Sequence, residues 1–182
     1  MPNVALADAL SPLILTLDIG SSSTRAMIFD ARARSIDDLE AREVHTLHTE
    51  PDGTAIDHAD ELVHRVVAVI DRVIAMLGDR SSDIGAVAID TYASNLLGLD
   101  RSSGPITPIY TYADTRPTDD AARLRAKYDE TTVLNRTGCL VRSSYLPARF
   151  MWLARTQPKL LQEVNRWISI GEYLFDQFFD RS

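Results

Sequence analysis

The segment from Leu15 to Asp30, "LTLDIGSSSTRAMIFD", decides the fold of this chain. Two apolar runs flank a glycine, three serines, a threonine and an arginine, which predicts strands at Leu13–Asp18 and Ala26–Asp30 joined by a turn. Turns are commonly small and polar for geometric reasons alone, so an ordinary hairpin is the plain explanation. An ordinary hairpin does not explain the aspartate that ends the first strand, so a second explanation is needed.

The composition of this turn suits a phosphate group, which needs converging N–H donors and little side-chain bulk around it. The residues that would surround the phosphate are either small or carry donor groups: Gly20, Ser21, Ser22, Ser23 and Arg25. Asp18 would repel a phosphate unless Mg²⁺ lay between them. The pattern therefore predicts either a metal–nucleotide clamp or a plain hairpin, and it lacks the GxxxxGK[ST] signature of a P-loop.

The following segments predict a mixed α/β domain. We expect a third strand at Glu43–Glu50, an amphipathic helix at Asp57–Leu77 and an apolar strand at Ile84–Asp90. The first three strands should form an antiparallel meander, with Ile84–Asp90 parallel to the first strand and the helix as crossover. The apolar run at Ile84–Asp90 is typical of a central strand covered on both faces.

The rest of the chain predicts a hairpin, four helical segments, a short strand and a last helix. In chain order these are Leu96–Asp100 with Ile106–Tyr110, Arg116–Tyr128, Glu130–Thr137, Tyr145–Thr156, Gln157–Val164, Trp167–Ile170 and Gly171–Phe179. We predict one domain at residues 13–182 after an N-terminal tail at residues 1–12.

Composition narrows the function classes. The 182 residues carry 19 basic and 26 acidic side chains, a net charge of −7, with no Lys/Arg stripe of the kind that favours nucleic acid. No apolar run approaches the roughly 20 residues of a membrane helix. Cys139 is the single cysteine, which favours a reducing, cytoplasmic setting, and we expect it to be a small buried residue.

The opening segment resembles the first phosphate loop of the actin/Hsp70/sugar-kinase superfamily. The blocks that follow it narrow the resemblance: "DIGAVAIDTYASNLLGLD", "GPITPIYTYADTRPTDDAARLR", "VLNRTG" and "ARFMWLARTQPKLLQEVNRWISIGEYLFDQFF". Their succession, from Leu13 to Phe179, is similar to the N-terminal domain of the FGGY carbohydrate kinases. The resemblance implies an actin-like (ribonuclease H-like) fold and transfer of the γ-phosphoryl group of MgATP to a sugar or polyol hydroxyl.

The resemblance also implies roles for individual residues. Asp18 would order Mg²⁺, and the small residues of the turn would hold ATP: Gly20, Ser21, Ser22, Ser23 and Arg25. In "YADTR", which is similar to the W-x-D-x-R block of the family, Asp114 and Arg116 would shape the sugar cleft. Ala93 and Ser94 stand where many relatives have Met-His or Arg-Glu. We therefore expect a sugar pocket that is roomier or that contacts its sugar differently, so the substrate of the relatives does not transfer to this chain.

Family members are much longer than this chain, with a second domain that closes over ATP. The aspartate that accepts the proton of the sugar hydroxyl lies, by this resemblance, beyond Ser182. We therefore expect the chain to be the N-terminal part of a carbohydrate kinase and to be inactive alone. The alternative is a non-catalytic sugar- or nucleotide-binding module of the same fold. A homodimer is a candidate assembly of the full-length protein.

Overall fold

The computed structural model describes residues 3–179, which form two compact units. Residues 3–46 and 60–92 form unit 1, and residues 47–59 and 93–179 form unit 2. The sequence predicted a single domain at residues 13–182. Because each unit contributes one of the two candidate sites, the units are described separately below.

Ten strands and six helices make up the two units. The strands are β1 Asn3–Val4, β2 Leu13–Ile19, β3 Ser23–Phe29, β4 Ser35–Val44, β5 His48–Thr49, β6 Ala55–Asp57, β7 Ile84–Thr91, β8 Leu97–Leu99, β9 Ile109–Tyr110 and β10 Arg166–Ile168. The helices are α1 Ala59–Leu77, α2 Thr118–Lys127, α3 Glu130–Thr137, α4 Leu146–Thr156, α5 Pro158–Glu163 and α6 Ile170–Phe178. No helix within residues 3–179 is long and apolar enough to cross a membrane.

Unit 1 is built on a mixed five-stranded sheet of order β1-β4-β3-β2-β7. β2, β3 and β4 form the antiparallel meander, and β7 pairs in parallel with β2, as the sequence predicted. Within residues 60–77, α1 buries one apolar stripe, spaced at three and four residues: Leu62, Val66, Val69, Val73 and Leu77. β1 pairs in parallel with β4, so the segment expected to be a tail contributes an edge strand.

The third strand of the meander lies earlier than the sequence predicted. It spans Ser35–Val44, so Glu43–Glu50 is wrong as the third strand of the meander, and the strand within that range, His48–Thr49, pairs with β6 in unit 2. The β3–β4 register shifts between Met27 and Phe29, and Asp38 has a φ of 58°, so the alternation of apolar residues is interrupted there. This irregularity hid a buried face, formed by Ile36, Leu39 and Ala41, inside a charged segment.

The parallel strand β7 is not covered on both faces, contrary to the expectation from its apolar sequence. It ends the sheet of the described residues, and Val87 and Ile89 are 50% and 38% exposed. Continuous apolar character is typical of a buried parallel strand. In unit 1, the apolar sequence of β7 instead leaves apolar side chains exposed on the last strand of the sheet.

Unit 2 contains two small sheets, of order β5-β6-β9 and β8-β10, with α2 to α6. Trp152 packs edge-to-face on Tyr110, with ring centroids 5.8 Å apart, in a cluster that includes Leu96 and Leu153. The expectation for Cys139 is wrong, since its side chain is exposed. It follows Gly138, whose left-handed backbone (φ 72°) ends α3.

Asp30 is the most heavily hydrogen-bonded carboxylate of unit 1. It is fully buried and accepts from Arg34 Nε at 3.0 Å and Arg34 Nη2 at 2.6 Å. The backbone N–H groups of Arg32 and Arg34 donate to its Oδ1 at 2.9 and 3.0 Å. The Arg34 side chain, followed by these backbone donors, holds the pKa of Asp30 far below its usual value against the opposing effect of burial.

Asp30→Asn should therefore lower the melting temperature at neutral pH and flatten its acid dependence. Because the native pKa of Asp30 is depressed, its contribution is complete above the unfolded pKa of about 3.9 and is lost as the pH falls further. Melting curves of both proteins from pH 7 to pH 3 would measure this. A Tm difference that stays constant below pH 4 would contradict the assignment.

Candidate functional site

The turn between β2 and β3 is closed by backbone hydrogen bonds. The N–H of Gly20 donates to the Ser23 carbonyl at 2.9 Å, and the N–H of His45 donates to the Ser22 carbonyl at 3.0 Å. A Cβ on residue 20 would lie 3.1 Å from the Ser23 carbonyl oxygen, closer than most real Cβ contacts. Glycine at this position keeps the turn tight, with its small residues at the end of the hairpin.

The hydroxyl residues of this turn differ in exposure. Ser22 is exposed and Ser21 is half-buried, whereas Ser23 and Thr24 belong to β3 and are buried. A ligand at the tip of the hairpin can therefore meet Ser21 and Ser22 directly. The side chain of Ser23 is the least accessible of the three serines, and its role beside a phosphate stays a prediction.

Asp18 and Arg25 form a cross-strand ion pair. They are register partners in the β2–β3 ladder, and Arg25 donates from Nε at 3.2 Å and from Nη2 to the same carboxylate oxygen, Oδ2. The hydrogen bond to Asp18 raises the pKa of the Arg25 guanidinium above its usual value. The sequence had placed both charges toward one ligand, and in the structure they face each other.

Asp18 still fits the role of a Mg²⁺ ligand. Its side chain is 38% exposed, and because both Arg25 donors reach Oδ2, Oδ1 is the oxygen open to a ligand among the described residues. Mg²⁺ in nucleotide sites is held by one or two carboxylates together with waters and phosphate oxygens. Within residues 3–179, no group of three or more His, Cys, Asp or Glu side chains is placed to hold a metal ion.

Asp90 lies beside Asp18, which sequence reasoning did not foresee. The parallel β2–β7 register pairs the two residues, and the Asp90 Oδ1 accepts the N–H of Thr91 at 2.9 Å. At the end of a predicted strand, Asp90 is either a hydrogen-bonding residue or a catalytic base, and this contact is of the first kind. Its proximity to Asp18 depends on strand register, for which the linear pattern gives no signal.

In unit 2, Asp114 and Arg116 pair with each other. Arg116 Nε donates to Oδ1 of Asp114 at 2.9 Å and Nη2 donates to Oδ2 at 2.6 Å, a bidentate geometry. The Arg116 side chain is 19% exposed and that of Asp114 only 1%. Arg116 is thus the member of the pair that a ligand can reach, and Asp114 holds it in place.

Two aromatic rings complete the setting of Arg116. Its guanidinium carbon lies 4.5 Å from the Trp152 ring centroid and 5.8 Å from that of Tyr110. Burial alone would lower the pKa of Arg116, but the hydrogen bond and charge of Asp114 outweigh it and raise that pKa. The guanidinium is therefore a fixed, permanently charged group.

Ser94 opens into a cavity of about 620 Å³. The described residues that line it are Ser94, Asn95, Val133, Thr137, Cys139, Leu140, Val141, Arg142, Ser144, Tyr145, Leu146 and Pro147. Ala93 is exposed, and neither it nor Asp114 nor Arg116 appears among these described lining residues. Of the four predicted sugar-site residues, the structure brings only Ser94 to the cavity.

Sequence reasoning missed most of this cavity. The run "SSYLPAR" at Ser143–Arg149 is compatible with a substrate contact or with a plain helix start, and α4 does begin at Leu146 with Pro147 in its first turn. Ser144 and Tyr145 line the cavity as well. Polar residues ahead of a helix serve capping and ligand contact alike, so the pattern carried no signal that separates the two.

Comparison with known proteins gives a consistent result. A family model described as "FGGY family of carbohydrate kinases, N-terminal domain" matches residues 13–182. A gluconokinase of Bacillus licheniformis is 22% identical over 173 residues, which are 94% of this chain and 33% of that protein. The chain spans about a third of the length of the curated relatives it matches.

Solved structures share the fold. A ligand-bound xylulose kinase from Lactobacillus acidophilus superposes with a TM-score of 0.82 at 17% identity, covering 91% of this chain and 33% of that one. Plasmodium falciparum glycerol kinase with ADP gives a TM-score of 0.79 at 17% identity, covering 96% and 34%. The mixed sheet and its flanking helices thus have the actin-like fold, as the sequence predicted.

Proposed function

Because the chain belongs to the FGGY family of carbohydrate kinases, we propose that it is the N-terminal, sugar-binding part of a parent enzyme that phosphorylates a sugar or polyol hydroxyl with ATP. The observation that carries this proposal is the family match over residues 13–182, nearly the whole chain. The similar proteins are a gluconokinase, a xylulose kinase and a glycerol kinase, so a polyhydroxylated small molecule is the substrate class.

The cavity beside Ser94 is the proposed sugar site. Hydroxyls of Ser94 and Ser144 can donate to and accept from sugar hydroxyls, and Arg142 adds charged donors. Its volume of about 620 Å³ lies within the range of small-molecule sites. Ser94 lines the cavity with a short side chain, which supports the expected roomier pocket. The accessible edge of Arg116 is a second, separate candidate contact for the sugar.

The hairpin turn after Asp18 is the proposed phosphate site. Gly20, Ser21 and Ser22 would approach the transferred phosphate, and Asp18 would hold Mg²⁺ through Oδ1 or a bound water. Mg²⁺ neutralises the charge that develops on phosphate oxygens during phosphoryl transfer. That a similar glycerol kinase was solved with ADP supports ATP as the phosphate donor.

A second candidate function, a non-catalytic sugar-binding module, has one observation in its favour. The described residues that line the cavity include no carboxylate and no histidine, so they offer no base for a sugar hydroxyl. Under either function we propose a cytoplasmic setting, which the single exposed thiol favours. A homodimer of the parent enzyme remains part of the proposal.

Sugar binding should protect Cys139 from alkylation in the 182-residue chain. Cys139 is the only thiol, is exposed and lines the cavity, so a sugar in the cavity shields it from reagent. We expect saturating substrate to slow the iodoacetamide reaction by about tenfold, since a bound small molecule loses most of its surface to its site. Mass spectrometry of the alkylated protein over time, with a panel of sugars and polyols, measures the rate.

Two controls accompany this measurement. The same panel should leave the alkylation rate of free cysteine unchanged, which excludes a reaction between sugar and reagent. Calorimetric titration of each protecting compound should give a matching Kd. Unchanged alkylation with every sugar and polyol of the panel would contradict the proposed sugar site.

A further inference from the structure

Arg149 is a fully buried arginine whose guanidinium reaches three main-chain carbonyls. Nη1 donates to the carbonyls of Ser94 at 3.2 Å and Tyr110 at 3.0 Å, and Nη2 donates to that of Thr111 at 2.6 Å. In the sequence, Arg149 is the last residue of the "SSYLPAR" run, and neither candidate site uses it. Its position on α4, three residues before Trp152, places it within the core of unit 2.

The three carbonyls belong to the two segments that carry the predicted sugar-site residues. Ser94 has a left-handed backbone, with a φ of 55°, at the wall of the cavity. The Thr111 carbonyl also accepts the N–H of Asp114 at 3.2 Å, where the chain turns toward the Asp114–Arg116 pair. One side chain therefore joins the cavity wall to the turn that presents Arg116.

The cost of burying a guanidinium argues for a specific role. A charge removed from water is expensive unless hydrogen bonds satisfy it, and an apolar side chain of similar size often gives equal or greater stability. The backbone bridge between Leu96 and Tyr110, with N–H to carbonyl distances of 3.0 and 2.9 Å, already pairs the two segments. What Arg149 adds is a fixed position for the Ser94 and Thr111 carbonyls, which both lie beyond the same end of that antiparallel bridge.

We propose that Arg149 is a positioning residue for the sugar site: its guanidinium holds the left-handed turn at Ser94 and the turn before Asp114 in the geometry that binds substrate. This inference rests on the proposed function, because the ligand of the cavity is the proposed sugar. Arg149 touches no substrate in this role. Trp152, one turn further along α4, lies under Arg116, so a single helix supports both segments.

The test compares three variants of the 182-residue chain. Arg149→Met removes the donors with similar bulk, and Arg149→Lys keeps a charge with fewer donors and no planar fork. Arg155→Met is the matched control, because Arg155 lies on the same helix and pairs with Asp120 at 2.7 Å, outside the cavity lining of the described residues. Sugar affinity is measured by calorimetry and by Cys139 protection, and local order by amide hydrogen exchange with folding checked by melting curves.

We expect Arg149→Met to raise the Kd of a protecting sugar by about tenfold or more, since small displacements of positioned groups weaken a site strongly. The amides of Leu96 and Asp114 should exchange at least about tenfold faster in this variant, while those of β2 and β3 stay unchanged. The Kd and the exchange rates of Arg149→Lys should lie between those of the unsubstituted chain and those of Arg149→Met. Arg155→Met should keep the Kd within about twofold of the unsubstituted chain even if its melting temperature is lower.

Each outcome decides the proposal. An unchanged Kd and unchanged exchange at Leu96 and Asp114 in Arg149→Met would overturn it and leave the proposed function standing. If Arg149→Met does not fold, Arg149→Lys decides, and wild-type affinity and exchange in that variant would overturn it. Failure of the unsubstituted chain to bind any sugar would overturn the proposed function and this role with it.

Discussion

Replacing Asp18 by alanine in the proposed parent enzyme should lower kcat by about 100-fold or more and leave the sugar KM little changed. The lost carboxylate would no longer order Mg²⁺ against the phosphates, an interaction that matters most in the transition state. Ser21→Ala should be milder, because backbone N–H groups of the same turn remain. Steady-state kinetics of both variants, each with a melting curve, measure these effects.

The Asp18–Arg25 ion pair supplies the competing explanation for such a loss. If Asp18 serves only to hold Arg25, Asp18→Ala should alter stability modestly and raising Mg²⁺ should not restore turnover. If Asp18 holds the cation, the Mg²⁺ concentration needed for half-maximal rate should rise. Asp37→Ala, which removes an exposed carboxylate from β4 of the same sheet, is the matched control. An unaltered kcat in well-folded Asp18→Ala enzyme would make this segment an ordinary hairpin turn.

The fold was predictable where local pattern and tertiary packing agree. The hairpin around Gly20 and the helix before Ile84 have clear periodicity and turn chemistry, and both were predicted, although β3 begins at Ser23 and not at Ala26. The errors arose where tertiary context decides. The irregularity at Asp38 displaced the third strand of the meander. β7 carries the sequence of a buried strand at a position that, within the described residues, is an edge.

The sequence predicted which residues belong to the candidate sites, but it did not predict which of them interact with each other. The turn pattern identified Asp18 and Arg25, and the family resemblance identified Asp114 and Arg116. Each of the two pairs is an ion pair in the structure, because opposite charges on neighbouring strands or two residues apart satisfy each other. Arg149 had no predicted role of its own beyond its place in the "SSYLPAR" run. A lone arginine in a helical segment indicates a solvated surface, and only the fold shows that three carbonyls surround it.

The 182-residue chain alone should transfer no phosphate to any sugar above a no-enzyme control, even where it binds the sugar. The described residues that line the cavity are hydroxyl, amide, thiol, guanidinium and apolar groups, with no carboxylate or imidazole to accept the proton of a sugar hydroxyl. A positioned base typically contributes about 10²–10⁴-fold to such a step. Under the proposed function, that base and the domain that closes over ATP belong to the remainder of the parent enzyme.

A coupled ADP-release assay with MgATP and the sugar panel measures this, with the parent enzyme as the positive control at equal active-site concentration. Sugar binding without turnover in the chain, together with turnover in the parent, would assign Ser94 and its cavity to substrate recognition and the proton transfer to the remainder of the enzyme. Turnover by the purified chain would contradict that division. It would require a base among the residues of the chain itself, and Asp90, next to Asp18 in the β2–β7 register, would be the first carboxylate to replace.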